Sequence, residues 1–181
     1  HCIEALYAKV KNPISDQFAI SGIKALITGI PESIKNPNNL NARSNVLYGG
    51  MLSGYCVTLA GIAIHHKLCH VLGGHHGIEH GSSNSVILPY AVAYNERAAP
   101  EAMEIIKKTM GTTSASGGIY DFARKIGVPK SLMELGMCEG DLDRAAQEIL
   151  KKTFNNPKKL VEKSVRELLQ QAFEGKRPVP F

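Results

Sequence analysis

Apolar residues recur three and four positions apart along most of the chain, and strictly alternating runs are nearly absent. Ile3, Leu6, Tyr7 and Val10 share one face of a helix that Asn12-Pro13 stops. Phe18, Ile20, Ile23, Leu26 and Ile27 mark a second helix, opened by Ser15 or Asp16 as N-cap and closed near Thr28 by Gly29 and Pro31. Residues 34–39 read as a polar loop. From Leu40 a long helix runs to about Ala60 or beyond. Its Gly49, Gly50, Ser53 and Gly54 predict a buried central helix that neighbours approach closely, with Tyr48 and Tyr55 as core or wall. An apolar run follows at 86–95. Amphipathic helices are expected near 100–109, 114–126, 141–153 and 157–173, with Asp141 and Asn156 as N-caps and an extended tail. The expectation is one all-α domain, a helical bundle of six to nine helices, with no sheet of more than two short strands.

Composition narrows the classes. The 181 residues are 44% hydrophobic and 20% charged, which suits a globular domain and not a disordered chain. No apolar run is long enough to cross a membrane, so no membrane partner is expected. The net charge is +5. The basic residues are scattered except for Lys151, Lys152, Lys158, Lys159 and Lys163, which alternate with acidic groups as on a solvated helix. No nucleic-acid partner is expected. Cys2, Cys56, Cys69 and Cys138 form no metal-type spacing and read as buried free thiols of a cytoplasmic protein.

Candidate chemistry concentrates in one window. Six of the seven histidines fall between His65 and His80, in HHKLCHVLGGHHGIEH. His66 and His70 are four apart, as are His76 and His80, so each pair shares a helix face. Such imidazoles can grip a metal or pass protons. Gly81-Ser-Ser-Asn reads as a helix start capped by Ser82, Ser83 or Asn84. His75 and His76 read as loop residues at a cleft edge. The chain opens on His1 in a mid-helix pattern, so it is expected to be the carboxy-terminal part of a longer protein.

HCIEALYA, IHHKLCHVLGG and EHGSSNSVILPYAVAYN together resemble the iron-containing alcohol dehydrogenase family, within the dehydroquinate-synthase-like superfamily. Among its members the resemblance is nearest to maleylacetate reductases, strong over about residues 1–97 and weaker beyond. It implies that residues 1–181 are the carboxy-terminal helical domain. An amino-terminal α/β domain, absent from this chain, would bind NADH or NADPH and close the cleft. A homodimer is also implied.

By motif position the resemblance implies His1, His66 and His80 as ligands if iron or zinc is bound. The family's aspartate ligand would lie before His1. His70, His66 and His80 are the implied catalytic residues, with His70 as proton donor or orienter. Lys67, His65 and Arg43 are candidates to bind a small dicarboxylate or carbonyl substrate, and Glu4 is a candidate partner of a site histidine. The expected reaction is reduction of maleylacetate to 3-oxoadipate. Two alternatives are a metal-dependent alcohol dehydrogenase and a helical domain recruited as a non-redox binding module. His66, His70 and His80 are expected to converge, with an apolar surface nearby.

Overall fold

A computed structural model describes all residues 1–181. It contains nine α-helices and no strand: α1 Cys2–Tyr7, α2 Pro13–Lys35, α3 Leu40–Ala60, α4 Ile64–His76, α5 His80–Asn95, α6 Pro100–Met110, α7 Ala115–Lys125, α8 Leu142–Leu150 and α9 Glu162–Glu174. A 3₁₀ turn at Glu139–Asp141 leads into α8. No single helix is long and apolar enough to cross a membrane.

The longest pair, α2 and α3, forms an antiparallel hairpin closed by glycines. A Cβ on Gly49 would stand 2.6 Å from Leu26 Cγ, and one on Gly22 would stand 2.6 Å from Cys2 Sγ. Close helix approach therefore explains these two residues. It does not make α3 central. Only Ala42, Gly49, Leu52, Cys56 and Ala60 are buried, while Tyr48 and Tyr55 are half exposed. The expectation of a buried helix fails because the small residues are needed on one face only.

Several boundaries also differ. Asn12, and not Ser15 or Asp16, caps α2. Its side chain accepts from the Ile14 and Ser15 amides, and Ser15 completes a capping box. Gly29 and Pro31 lie inside α2, which continues to Lys35. Glu79 caps α5 by accepting from Gly81 and Ser82, so the Ser82-Ser83-Asn84 stretch is already helical. Asp141 occupies the N-cap position of α8 without a capping bond. α9 starts at Glu162, because Asn156 is withdrawn into the interior.

Two apolar cores meet along α5. One gathers α1, α2, α6, α7 and the end of α3 around Leu6, Ile23, Cys56, Met103 and Ile106. The other packs α4, α5, α8 and α9 around Leu68, Leu72, Tyr90, Ile149 and Leu168. Val92 of α5 faces the first, while Ile87, Tyr90 and Tyr94 face the second. The chain turns by 102° between α3 and α4, at Gly61 with φ +70°. That turn carries α4 from one core into the other and sets its first residues beside α1.

Candidate functional site

α4 begins in the protein interior, where its free amides need partners. Its N-cap, Ala63, has no side-chain acceptor. Two distant residues serve instead. Asn156 Oδ1 accepts from the Ile64 amide at 3.4 Å. Glu4 Oε1 of α1 accepts from the His66 amide at 3.4 Å. Asn156 is itself held by Asn95, each carboxamide donating to the other at 2.8 and 3.2 Å.

Glu4 is fully buried, and its second oxygen lies 2.5 Å from His66 Nδ1. His65 Nδ1 lies 3.1 Å from the same His66 nitrogen, and His65 Nε2 lies 2.9 Å from the Asn84 carbonyl. These contacts fix the tautomers. A carbonyl only accepts, so His65 carries its proton on Nε2 and offers a lone pair at Nδ1. A lone pair and a carboxylate then both face His66 Nδ1, which must carry the proton. His66 Nε2 is left with a free lone pair.

Burial raises the affinity of the Glu4 carboxyl for a proton, but the hydrogen bond from His66 and the fields of His65 and His66 outweigh it, and the net shift is downward. Burial pushes His65 down to about 3, against the opposing field of Glu4, so His65 is neutral.

The other histidines form two stacks. His1 lies parallel to His66, with ring centroids 4.3 Å apart and planes within 9°. His70, one turn after His66 and exposed, stacks on His80 at 5.9 Å and 21°. Desolvation, then the fields of His66, His80 and Lys67, lower the His70 pKa. His70 and His80 thus meet across the turn between α4 and α5, and His70 also feels the field of His66.

The implied metal set does not fit this arrangement. An imidazole ligates through a lone pair in its ring plane, and the parallel planes of His1 and His66 do not meet at one ion. His80 is stacked with His70 instead. The three potential ligands that do cluster are Glu4, His65 and His66, all buried. Their facing atoms are already joined by the hydrogen bonds described above.

Two implied substrate residues are also misplaced. His65 is buried with both nitrogens engaged, so it offers nothing to a ligand. Arg43 lies in the first turn of α3 and donates to the Pro37 carbonyl at 3.3 Å. It is about 25 Å along the helix from the α3–α4 turn. Lys67 remains beside His70, half buried. His75 and His76 are not loop residues. They end α4 and face Glu148 of α8, at 2.9 and 3.4 Å. The Asn95–Asn156 pair leaves no sequence signal, because two asparagines 61 positions apart look like separate cap or turn residues.

An all-helical domain that presents a row of imidazoles backed by a buried carboxylate is the helical half of the dehydroquinate-synthase-like fold. The chain belongs to the iron-containing alcohol dehydrogenase family: residues 1–173 match "Fe-containing alcohol dehydrogenase family, C-terminal". It is 37% identical to maleylacetate reductase 1 of Rhodococcus opacus over 98% of this chain and 50% of that protein. It is 40% identical to maleylacetate reductase of Burkholderia cepacia over 98% and 51%. The crystal structure of maleylacetate reductase from Agrobacterium tumefaciens superposes with a TM-score of 0.95 at 39% identity, over 98% of this chain and 51% of that one. An iron-containing alcohol dehydrogenase from Corynebacterium glutamicum gives 0.92 at 33%, over 97% and 50%. The chain therefore spans about half the length of the relatives it matches.

Proposed function

We propose that this chain is the helical half of a nicotinamide-dependent reductase acting on maleylacetate or a closely related unsaturated dicarboxylate. The observation that carries the reading is the Glu4–His66–His65 chain, which holds one imidazole lone pair in a fixed direction next to the exposed His70–His80 stack. The identity to maleylacetate reductases over nearly the whole chain supports the substrate class.

No glycine-rich turn between a strand and a helix exists here to cradle a pyrophosphate. The dinucleotide is accordingly assigned to an amino-terminal domain of the whole protein, and when bound it supplies hydride. The work of the present residues is at the acceptor. Hydride addition at one alkene carbon pushes the electron pair toward the neighbouring ketone oxygen, and the other alkene carbon then takes a proton. His70, exposed and stacked on His80 beside the site, delivers it. The Lys67 ammonium, one turn back on the same helix, pairs with a substrate carboxylate. His66, held by Glu4, accepts a hydrogen bond from the substrate or from a water. No step of this scheme is routed through a metal.

The test is NADH or NADPH oxidation by the whole protein with maleylacetate. His70→Ala lowers kcat more than it raises KM, whereas Lys67→Ala chiefly raises KM. Near-full turnover by His70→Ala overturns the proton-delivery role.

A further inference from the structure

The end of α4 carries a second cluster of titratable side chains, which the proposed reaction does not use. His75 and His76 are the last two residues of the helix, and Glu148 of α8 turns one carboxylate oxygen toward each. His75 Nδ1 lies 2.9 Å from Oε1, which also accepts from Arg144 Nε at 3.0 Å. His76 Nε2 lies 3.4 Å from Oε2. Across the same ring, His76 Nδ1 lies 3.9 Å from Asp141 Oδ1.

The two carboxylate oxygens are in different states. Oε1 is engaged by His75 and Arg144. Oε2 is buried without a hydrogen-bond partner, and so is His76 Nε2, on a side chain only 4% exposed. These two atoms face each other, yet the ring nitrogen does not point straight enough at the oxygen for a hydrogen bond. Their separation decides what fits with them. A bridging water, about 2.8 Å from each at a tetrahedral angle, would space them about 4.6 Å apart. A metal ion with bonds of about 2.0–2.1 Å at the same angle spaces its ligands about 3.4 Å apart. The observed 3.4 Å matches the ion. Ligand lone pairs also converge at an angle, where a hydrogen bond requires a nearly straight line.

The surroundings suit a cation. Burial raises the affinity of the Glu148 carboxyl for a proton, but the bonds from Arg144 and His75 outweigh it, and the net shift is downward, so the group is a carboxylate. The carboxy-terminal end of α4 adds the negative end of its dipole. Asp141 beside Nδ1 favours the tautomer that leaves the Nε2 lone pair free, the carboxylate–histidine pairing that backs ligating imidazoles.

We propose that His76 Nε2 and Glu148 Oε2 are two ligands of a zinc site between α4 and α8, completed by the exposed His75 ring turning from Oε1 and by water. Gly74, which no neighbour within 4 Å of a built Cβ requires, leaves this end of α4 weak by itself. The ion pins it to α8, and with it the turn that sets His80 against His70. His76 lies six residues beyond His70, about 9 Å along the helix and on another face, so the ion orders this turn and is separate from the reacting groups.

The experiment is calorimetric titration of zinc chloride into the whole protein after chelation and dialysis. One zinc equivalent per chain is taken up. It is kept in His66→Ala and lost in His76→Ala and in Glu148→Gln, a change of equal size that leaves the far-ultraviolet spectrum unaltered. Asp141→Asn, at a partly exposed position, weakens uptake by about 10–100-fold. Zinc raises the melting temperature of the wild type by several degrees and that of Glu148→Gln not at all. No uptake overturns the proposal, as does uptake that survives Glu148→Gln, which is chelation by two neighbouring histidines alone. Uptake lost in His66→Ala and kept in His76→Ala overturns it too, by placing the ion among the other histidines.

Discussion

Glu4 Oε2 lies 2.5 Å from His66 Nδ1, and the other oxygen of the same carboxylate takes the His66 amide. One buried side chain on a six-residue helix thus orients an imidazole and secures the first turn of α4. The partners are 62 positions apart in sequence.

Glu4→Gln keeps the size and loses the charge. Its amide nitrogen is itself a donor, so His66 Nδ1 is no longer obliged to carry the proton. In the whole enzyme kcat falls about 10–100-fold, as for other partners that orient a functional imidazole, while KM changes little. Steady-state kinetics and the nitrogen chemical shifts of the His66 ring read the two effects separately. An unchanged ring spectrum together with full activity would remove Glu4 from the account.

The Tyr7 hydroxyl is buried close to Glu4 but makes no hydrogen bond of normal geometry. Removing an unpaired buried donor relieves a desolvation cost of about 1–3 kcal/mol. Tyr7→Phe therefore leaves the melting temperature unchanged or raises it by a few degrees. A fall of several degrees would show that the hydroxyl has a partner, with Glu4 the acidic side chain available on α1.

Asn156→Ala strips an acceptor from the Ile64 amide and both bonds from Asn95. The Ile64 amide is left without its acceptor, while Asn95 keeps its bonds to Ala91 and Lys158, and the loss costs about 1–3 kcal/mol. The urea midpoint drops with no change in slope. A shift within about 0.5 kcal/mol, the usual effect of a neutral surface change, would mean that water replaces the asparagine and that Glu4 alone holds the start of α4.

The thiols separate sharply. Burial pushes Cys56 and Cys69 up to about 12 and raises Cys2 as well. Cys138 is exposed. Because the thiolate is the reactive form, a thiol reagent at about pH 8 modifies Cys138 alone in the native protein and all four thiols in denaturant. Rapid native labelling at Cys69 would contradict the packing of α4 against α5.

Much of this is legible in the residues, and the failures share a cause. Helical periodicity locates α6 and α7 to within a residue or two, because an amphipathic stripe is a local property. The sequence marks Pro31 as a stop, yet it stands inside α2, where packing against α3 overrides a local breaker. The pattern assigns Tyr48 and Tyr55 to the interior because periodicity gives a face but not which face has a partner. At the site, the His66–His70 spacing identifies α4, but the His76–His80 spacing misleads, because Gly77 ends α4 and His80 opens α5. Spacing cannot distinguish His65, neutral and sealed between Asn84 and His66, from its exposed neighbours. Arg43 illustrates the converse. Its charge suits a dicarboxylate, but the length of α3 carries it away from the histidines.

Substrate and metal dependence, measured together on the whole protein, test the central claim most directly. After exhaustive chelation and with nucleotide in excess, the rate of NADH or NADPH oxidation is compared with maleylacetate and with a simple aldehyde. The stacked His1 and His66 rings and the Glu4-held imidazole predict undiminished maleylacetate reduction and little aldehyde reduction. Aldehyde reduction that vanishes on chelation and returns with iron or zinc, without turnover of maleylacetate, would contradict the account.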